Sequence, residues 1–596
     1  MLAAAMVVTL TTGVDASAAT KNKVSLSKTK IQINQGKTKT VKVKAAKKTK
    51  VKKVKWTISK GKKIVKLTKK SKSGVTIKGL KKGSATVVAK ITVKGQKKAI
   101  TKKIKVTVKK AATKTNSSNT ATATATPTAP AQTTNTPAQP TTAPTPTPDN
   151  TKDTTADFSA QSFDMEDVVV TDSYYANSLE KEIAYMEELD ENKLLAGFKE
   201  TAGYAAGMTA SEVNTYMGTT RYKGGNNWED SLIGGHTLGH YMTALAQAVS
   251  NPETSADDKA KLQKKIDTIV STLKECQEKT KGSSKCKEGY LFGATLVNTT
   301  NMEQQFDNVE KNLTNIGTQA WVPWYTMHKI LAGLVSIYEL TGNKDALAVA
   351  ENLGEWTYNR VSKWSASTRN TVLNIEYGGM NDTLYELALC TSNATYQDHF
   401  LKAAAQFDET TLFEKVKKGS TNVLNNLHAN TMIPKFLGAL NRYVSLSKLG
   451  KLTDSDKVYL EYAEKFWDMV VNKHAYITGG LSEWEHFGQD CVLDSERTNC
   501  NNETCCTYNM LKMSRMLFEI TGDKKYSDYY EKTLINAIIG SQNPETGMSM
   551  YFQPMKSGYF KVYSSKTQDF WGCTGSGMEN FTKLIDSIYF YKDNNI

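Results

Sequence analysis

The residues most able to do chemistry cluster between Ile477 and Arg515, in ITGGLSEWEHFGQDCVLDSERTNCNNETCCTYNMLKMSR. Gly479-Gly480 marks a loop that presents Glu483, Glu485 and His486, carboxylates and imidazole suited to general acid–base work. Glu503 and Cys505 follow at the opening of a helix, an oxygen and a sulfur donor two residues apart. Such a pair makes a clip for zinc, and Cys573 in FWGCTGSGMENF is the natural distant third ligand. The competing reading is a set of buried free thiols. All eight cysteines lie between Cys276 and Cys573. Cys276 and Cys286 could form a local disulfide, whereas Cys491, Cys500, Cys505 and Cys506 are too crowded for a simple framework. The seven histidines all lie beyond residue 235. His236 and His240 sit one helical turn apart in GGHTLGHYMTALA, but a zinc-protease helix needs Glu directly after the first His, and here it is Thr237. Together with His328 (WVPWYTMHKILAGL), His428 (LHANTMIPK) and His486, they are candidates for binding a sugar, whose apolar face stacks on rings and whose hydroxyls take hydrogen bonds. Core histidines are the alternative for each.

The elements that must position these residues are helical. From about 160 to 590, apolar residues recur at spacings of three and four in HYMTALAQAV, MHKILAGLVSIYEL, MIPKFLGALNRYVSL, YLEYAEKFWDMVV and MLKMSRMLFEI. A local pattern repeats in YELTGNKDALAVAENLGEW and FEITGDKKYSDYYEKTLINAI: a helix ends at Thr-Gly, turns at Asn or Asp, and a second helix begins. YVSLSKLGKLTDSDKVYLEYAEKFWD is a degenerate third copy. Helical hairpins repeated over more than 400 residues predict a closed α/α toroid, whose helix ends and loops build a cleft on one face.

The rest of the chain has another character. Its 596 residues carry a formal charge of +18, but residues 1–114 hold 34 of the 77 Lys and Arg residues and only one of the 59 acids, Asp15. The remainder is net acidic, so attraction to a polyanion belongs to the first part alone. Residues 21–110 alternate apolar and basic positions in short runs broken by Gly-Lys turns, which predicts a small antiparallel sandwich. It resembles a bacterial immunoglobulin-like surface domain, with lysines available to an anionic wall polymer. Residues 111–157 form a Thr/Pro/Ala-rich linker holding seven of the twelve prolines. Residues 1–20 read as a signal-peptide-like segment that lacks its basic start, implying secretion or attachment to a bacterial wall. No later stretch reaches the roughly 18 apolar residues of a membrane helix.

In order along residues 220–590, the motifs WEDSLIGGHTLGHYMTALA, WVPWYTMHKILAGL, EYGGMND, LHANTMIPK, TGGLSEWEHFG, NETCCTYNMLK and FWGCTGSGMENFTKL resemble the β-L-arabinofuranosidases of glycoside hydrolase families 127 and 146. The resemblance implies an (α/α)6 barrel over 158–596 and a zinc site of one glutamate plus cysteines. It also implies a retaining mechanism with a cysteine nucleophile in place of the usual second carboxylate. By position, Glu485 matches the acid/base, Glu503, Cys505 and Cys573 the zinc ligands, Cys573 the available nucleophile, and His328 and His428 the sugar contacts. Two departures stand out. The family shows adjacent cysteines where this chain has Gly572-Cys573; Cys506 could fill the vacancy, yet it would point about 100° from Cys505 on a helix. The chain also stops at Ile596, before the family's β-sandwich, as a truncated product would. The leading expectation is thus a secreted glycosidase acting on β-linked L-arabinofuranose of plant glycans or glycoproteins. Its rivals are a carbohydrate-binding surface protein that lost turnover at Gly572, and a toroid polysaccharide lyase or uronide hydrolase, which has no use for a thiolate. Neither nucleic acid nor membrane insertion is expected.

Overall fold

The computed structural model describes residues 24–28, 30–45, 51–93, 99–109, 158–593 and 595–596. The signal-like segment and the linker lie outside them. The chain divides into two compact units, Met1–Pro144 and Thr145–Ile596.

The first unit is a two-sheet sandwich of eight strands: β1 (Val24–Leu26), β2 (Lys30–Asn34), β3 (Thr38–Ala45), β4 (Val51–Lys60), β5 (Val65–Thr68), β6 (Gly74–Gly79), β7 (Gly83–Val93) and β8 (Ile100–Lys109). One sheet runs β1-β3-β6-β5 and the other β2-β8-β7-β4. Alternation does the sorting, as expected: Val41, Val75, Ile77, Val87, Ile91, Ile104 and Val106 fill the core, while lysines alternate outward. Trp56 is buried there and donates its indole N–H to the Ser71 carbonyl at 2.9 Å. One feature differs from the antiparallel sequence reading: β2 pairs with β8 in parallel, because β3 lies in the other sheet and breaks the hairpin order.

The second unit is a barrel of paired helices. Six inner helices, His236–Ser250, Pro323–Thr341, Met380–Cys390, Ala429–Lys448, Thr504–Thr521 and Gly572–Thr582, each pack on the next, and the sixth closes on the first. Outer helices Ala256–Glu278, Lys344–Val361, Ala394–Gln406, Val458–Lys473 and Lys524–Thr533 return the chain between them; Ser173–Glu188, from the start of the unit, covers the sixth. The Thr-Gly signals work as predicted. Gly342 and Gly522 end inner helices at φ 69° and 68°, and the side chains of Asn343 and Asp523 cap the outer helices that follow. A two-residue strand, Phe590–Tyr591, pairs antiparallel with Gln161–Ser162. Among the described residues, no helix is long and apolar enough to cross a membrane. Cys276 and Cys286 are buried free thiols, not a disulfide; the Cys276 sulfur packs 3.8 Å from the Tyr216 hydroxyl.

Candidate active site

Because an outer helix returns the chain between each inner helix and the next, all six inner helices start on the same face. The sequence motifs occupy those starts: GGHTLGH, WVPWYTMHK, GGMND, LHANT, ETCC and GCTGSG. The alternation of inner and outer helices is therefore what gathers residues up to 350 positions apart into one site. Helix starts also leave backbone N–H groups unpaired and carry partial positive charge, which favours anions such as thiolates.

Glu503 immediately precedes the fifth inner helix, Cys505 lies in its first turn, and Cys573 is the second residue of the sixth. Their donor atoms lie within 4.8 Å of one another, and all three residues are buried. The Cys505 and Cys573 sulfurs are 3.1 Å apart without a disulfide, and Cys573 is 3.9 Å from Glu503 Oε1. Burial raises Glu503 well above the ordinary carboxylate range, with the Cys505 charge adding to it. Cys505 is lowered despite its burial, because Cys573 and the Ser576 hydroxyl, 3.2 Å away, donate to its sulfur. Burial and the same pairing raise Cys573. Three acidic donors in one dry pocket relieve one another only by holding protons or sharing a cation, so the group fits a metal ion.

Cys506 does not fill the place beside Cys573. Its thiol turns away, donates to Glu503 Oε2 at 3.1 Å, and is buried in the apolar cluster around Phe466 and Met510. At Gly572 an added Cβ would meet the Tyr325 hydroxyl at 2.7 Å and the Cys505 sulfur at 3.7 Å. Tyr325 thus stands in the space that a side chain at 572 would need.

Glu485 approaches from the loop before the fifth inner helix. Ser482, Trp484 and Glu485 have φ of 79°, 49° and 66°, a left-handed run without glycine that only surrounding contacts can hold. Those contacts are Trp484 N–H to Cys500 O at 2.8 Å, Ala429 N–H to Glu485 O at 2.7 Å, and Phe487 N–H to Leu427 O at 2.9 Å. The Glu485 carboxylate accepts from the Tyr551 hydroxyl and lies 3.7 Å from His428 Nε2. His428 caps the fourth inner helix, its Nδ1 accepting from Thr431 N–H at 3.2 Å. That leaves the ring proton on Nε2, toward Glu485. Burial works against ionisation of Glu485, but His428 and Tyr551 outweigh it and hold the carboxyl below its usual range. The Glu485 charge is felt in turn at Glu503 and Cys505.

Aromatic rings form a chain of contacts around Glu485, His428 and Tyr325. Tyr377 lies 4.8 Å from His428 and 5.6 Å from Tyr325; Trp571 lies 5.5 Å, and Trp228 6.5 Å, from Tyr551. The remaining histidines are placed less openly. His486 is half-buried and turns its Nδ1 onto the Trp484 carbonyl at 2.6 Å. His236 and His240 share a helix face as their spacing requires, and each turns its Nδ1 to a protein partner. His236 Nδ1 donates to Ile233 O at 3.0 Å beside Glu229, and His240 pairs with Glu579, which also accepts from Tyr508. Burial, then the Lys329 charge, pushes His240 down to about 4; despite burial, the His240 charge holds Glu579 at about 2. His328 is buried with Nδ1 unpartnered, and Gly379 lets the backbone approach its ring, where a Cβ would come within 2.2 Å. Sequence reasoning missed Tyr325, Tyr377, Tyr551 and Glu579, none of which has a local spacing signal.

The chain is thus an α/α toroid that gathers a carboxylate and a thiol–carboxylate group at its helix starts. The chain belongs to glycoside hydrolase family 127: the model of the β-L-arabinofuranosidase GH127 catalytic domain matches residues 167–586. Among solved structures, a GH127 β-arabinofuranosidase, BT3674, is similar at 19% identity and TM-score 0.50, over 73% of this chain and 63% of that one. Ara127N, a GH127 β-L-arabinofuranosidase from Geobacillus stearothermophilus T6, is similar at 17% identity and TM-score 0.47, over 71% and 64%. This chain therefore spans less than two thirds of the length of either. No curated protein matches its sequence.

Proposed function

We propose that this protein is a secreted glycosidase that releases β-linked L-arabinofuranose from plant glycans or glycoproteins with retention of configuration. The observation that carries the reading is the placement of Glu485, on its strained loop, close enough to the Glu503–Cys505–Cys573 group for its charge to be felt there, with aromatic rings around it. Zinc suits two sulfurs and one carboxylate oxygen, and when bound it would keep the thiols deprotonated at neutral pH.

Cys573 is the nucleophile. Its sulfur forms a bond to the anomeric carbon as the glycosidic C–O bond breaks, and the leaving oxygen takes the proton of Glu485 in its protonated form. His428, capping the neighbouring helix with its Nδ1, sets its Nε2 3.7 Å from the Glu485 carboxylate and positions it. Water then attacks the thioglycoside while Glu485 accepts its proton; the S–C bond breaks and the thiolate returns. Tyr551 fixes the carboxylate, and the rings of Tyr377, Trp228 and Trp571 offer stacking faces to the sugar. The immunoglobulin-like module and linker would hold the enzyme at the bacterial wall.

The test is hydrolysis of an aryl β-L-arabinofuranoside by the wild type, Glu485→Gln and Cys573→Ser, with bound zinc measured in parallel. Zinc-loaded wild type that releases no aryl group refutes the enzyme. Gly572 favours a second reading, a sugar-binding protein without turnover, because the helix position facing Cys505 has no side chain. That reading requires the same arabinoside to bind the zinc-loaded chain unchanged.

A further inference from the structure

The sandwich module presents one face whose charge its own fold does not explain. Residues 24–109 contain no Asp, Glu, His, Arg, Phe or Tyr, and every charged side chain there is lysine. Strand alternation sends Lys53, Lys55, Lys90, Lys103, Lys105 and Lys109 to the exposed outer face of the β2-β8-β7-β4 sheet. The register sets Lys55 directly opposite Lys90, and on the other sheet Lys66 opposite Lys78. Like charges directly opposite across a ladder destabilise it, and no acid within the module can offset them. An anion from outside the module would offset them.

We propose that the outer face of the β2-β8-β7-β4 sheet binds a linear phosphodiester polymer that carries neither bases nor carboxylates. Three observations choose this occupant. Lysine is a point charge that takes phosphate without fixed geometry, whereas planar carboxylates are gripped bidentately by arginine, which is absent. The lone aromatic, Trp56, is buried, so no ring is available for a nucleic-acid base to stack on. Along β8, Lys103 and Lys105 are two residues apart, about 6.8 Å, a separation comparable to that of successive phosphates on an extended chain. The proposal does not depend on the glycosidase reading.

The experiment uses the full-length chain and poly(glycerol phosphate), with polygalacturonate and single-stranded DNA of equal charge as comparisons. Six neutralised phosphates give a log–log salt slope of about −4, so affinity falls about 300-fold between 50 and 200 mM salt. Replacing Lys53, Lys55, Lys90, Lys103, Lys105 and Lys109 by Gln removes this binding. Because it also removes the repulsion, the module melts no lower, which separates lost binding from lost folding. Replacing Lys42, Lys66 and Lys78 on the other sheet leaves most of the affinity. The proposal is overturned if poly(glycerol phosphate) does not bind at 50 mM salt, or if both sets of substitutions weaken binding equally. It also falls if polygalacturonate or single-stranded DNA binds as tightly.

Discussion

Gly572→Ala isolates the contact that sets this site apart from a two-cysteine version of it. The new Cβ would lie 2.7 Å from the Tyr325 hydroxyl, yet 3.9 Å from the Tyr325 ring carbon that bears it and 3.7 Å from Cys505 Sγ. Only the hydroxyl is too close. Tyr325 cannot swing aside, because its buried ring is held between Tyr377 and His236. Overpacking of this kind costs about 1–3 kcal/mol, against about 1 kcal/mol gained by replacing glycine in a helix. Gly572→Ala should therefore be neutral or destabilising by up to about 2 kcal/mol. In a Tyr325→Phe background the same substitution meets only ordinary contacts and should stabilise. The coupling energy should be about 1–3 kcal/mol. Denaturant titration followed by tryptophan fluorescence measures it in the barrel, which holds eight of the nine tryptophans. A coupling below about 0.5 kcal/mol would refute the steric reasoning. The same geometry requires Gly572→Cys to be combined with Tyr325→Phe before a second sulfur can enter the site.

Tyr551→Phe removes a hydrogen bond that lowers Glu485, so the Glu485 pKa should rise and the alkaline limb of the kcat/KM profile should move up; an unmoved limb sinks the pairing. Stability should fall in acid. His240 is buried with its folded value near 4, below the unfolded value of about 6.5. Its contribution is present above pH 6.5 and is lost as pH falls toward 4, by about 3 kcal/mol. A Tm that stays level between pH 6.5 and 4.5 contradicts this.

The fold was legible where periodicity is local. Helical spacing and the two Thr-Gly turns marked the hairpins, and strand alternation sorted valines from lysines. The chemical residues were legible because each occupies the start of an inner helix or the loop before one, where sequence motifs are compact. Cys506 turned away as the 100° per residue of a helix demands. What sequence could not supply were partners fixed by ring closure. Tyr551 reaches Glu485 across 66 residues, Glu579 reaches His240 across 339, and Tyr325 faces Gly572 from the second inner helix. The Cys276–Cys286 pairing failed for the same reason: two nearby cysteines were each claimed by core packing with other elements.

The central claim is that Cys573 and Glu485 perform a double displacement at a β-L-arabinofuranosyl centre. Proton NMR of the sugar released from an aryl β-L-arabinofuranoside, recorded before mutarotation, tests it most directly. The account predicts that the β-anomer appears first and that neither Glu485→Gln nor Cys573→Ser produces it at a comparable rate. First appearance of the α-anomer, or undiminished release by Cys573→Ser, would contradict it.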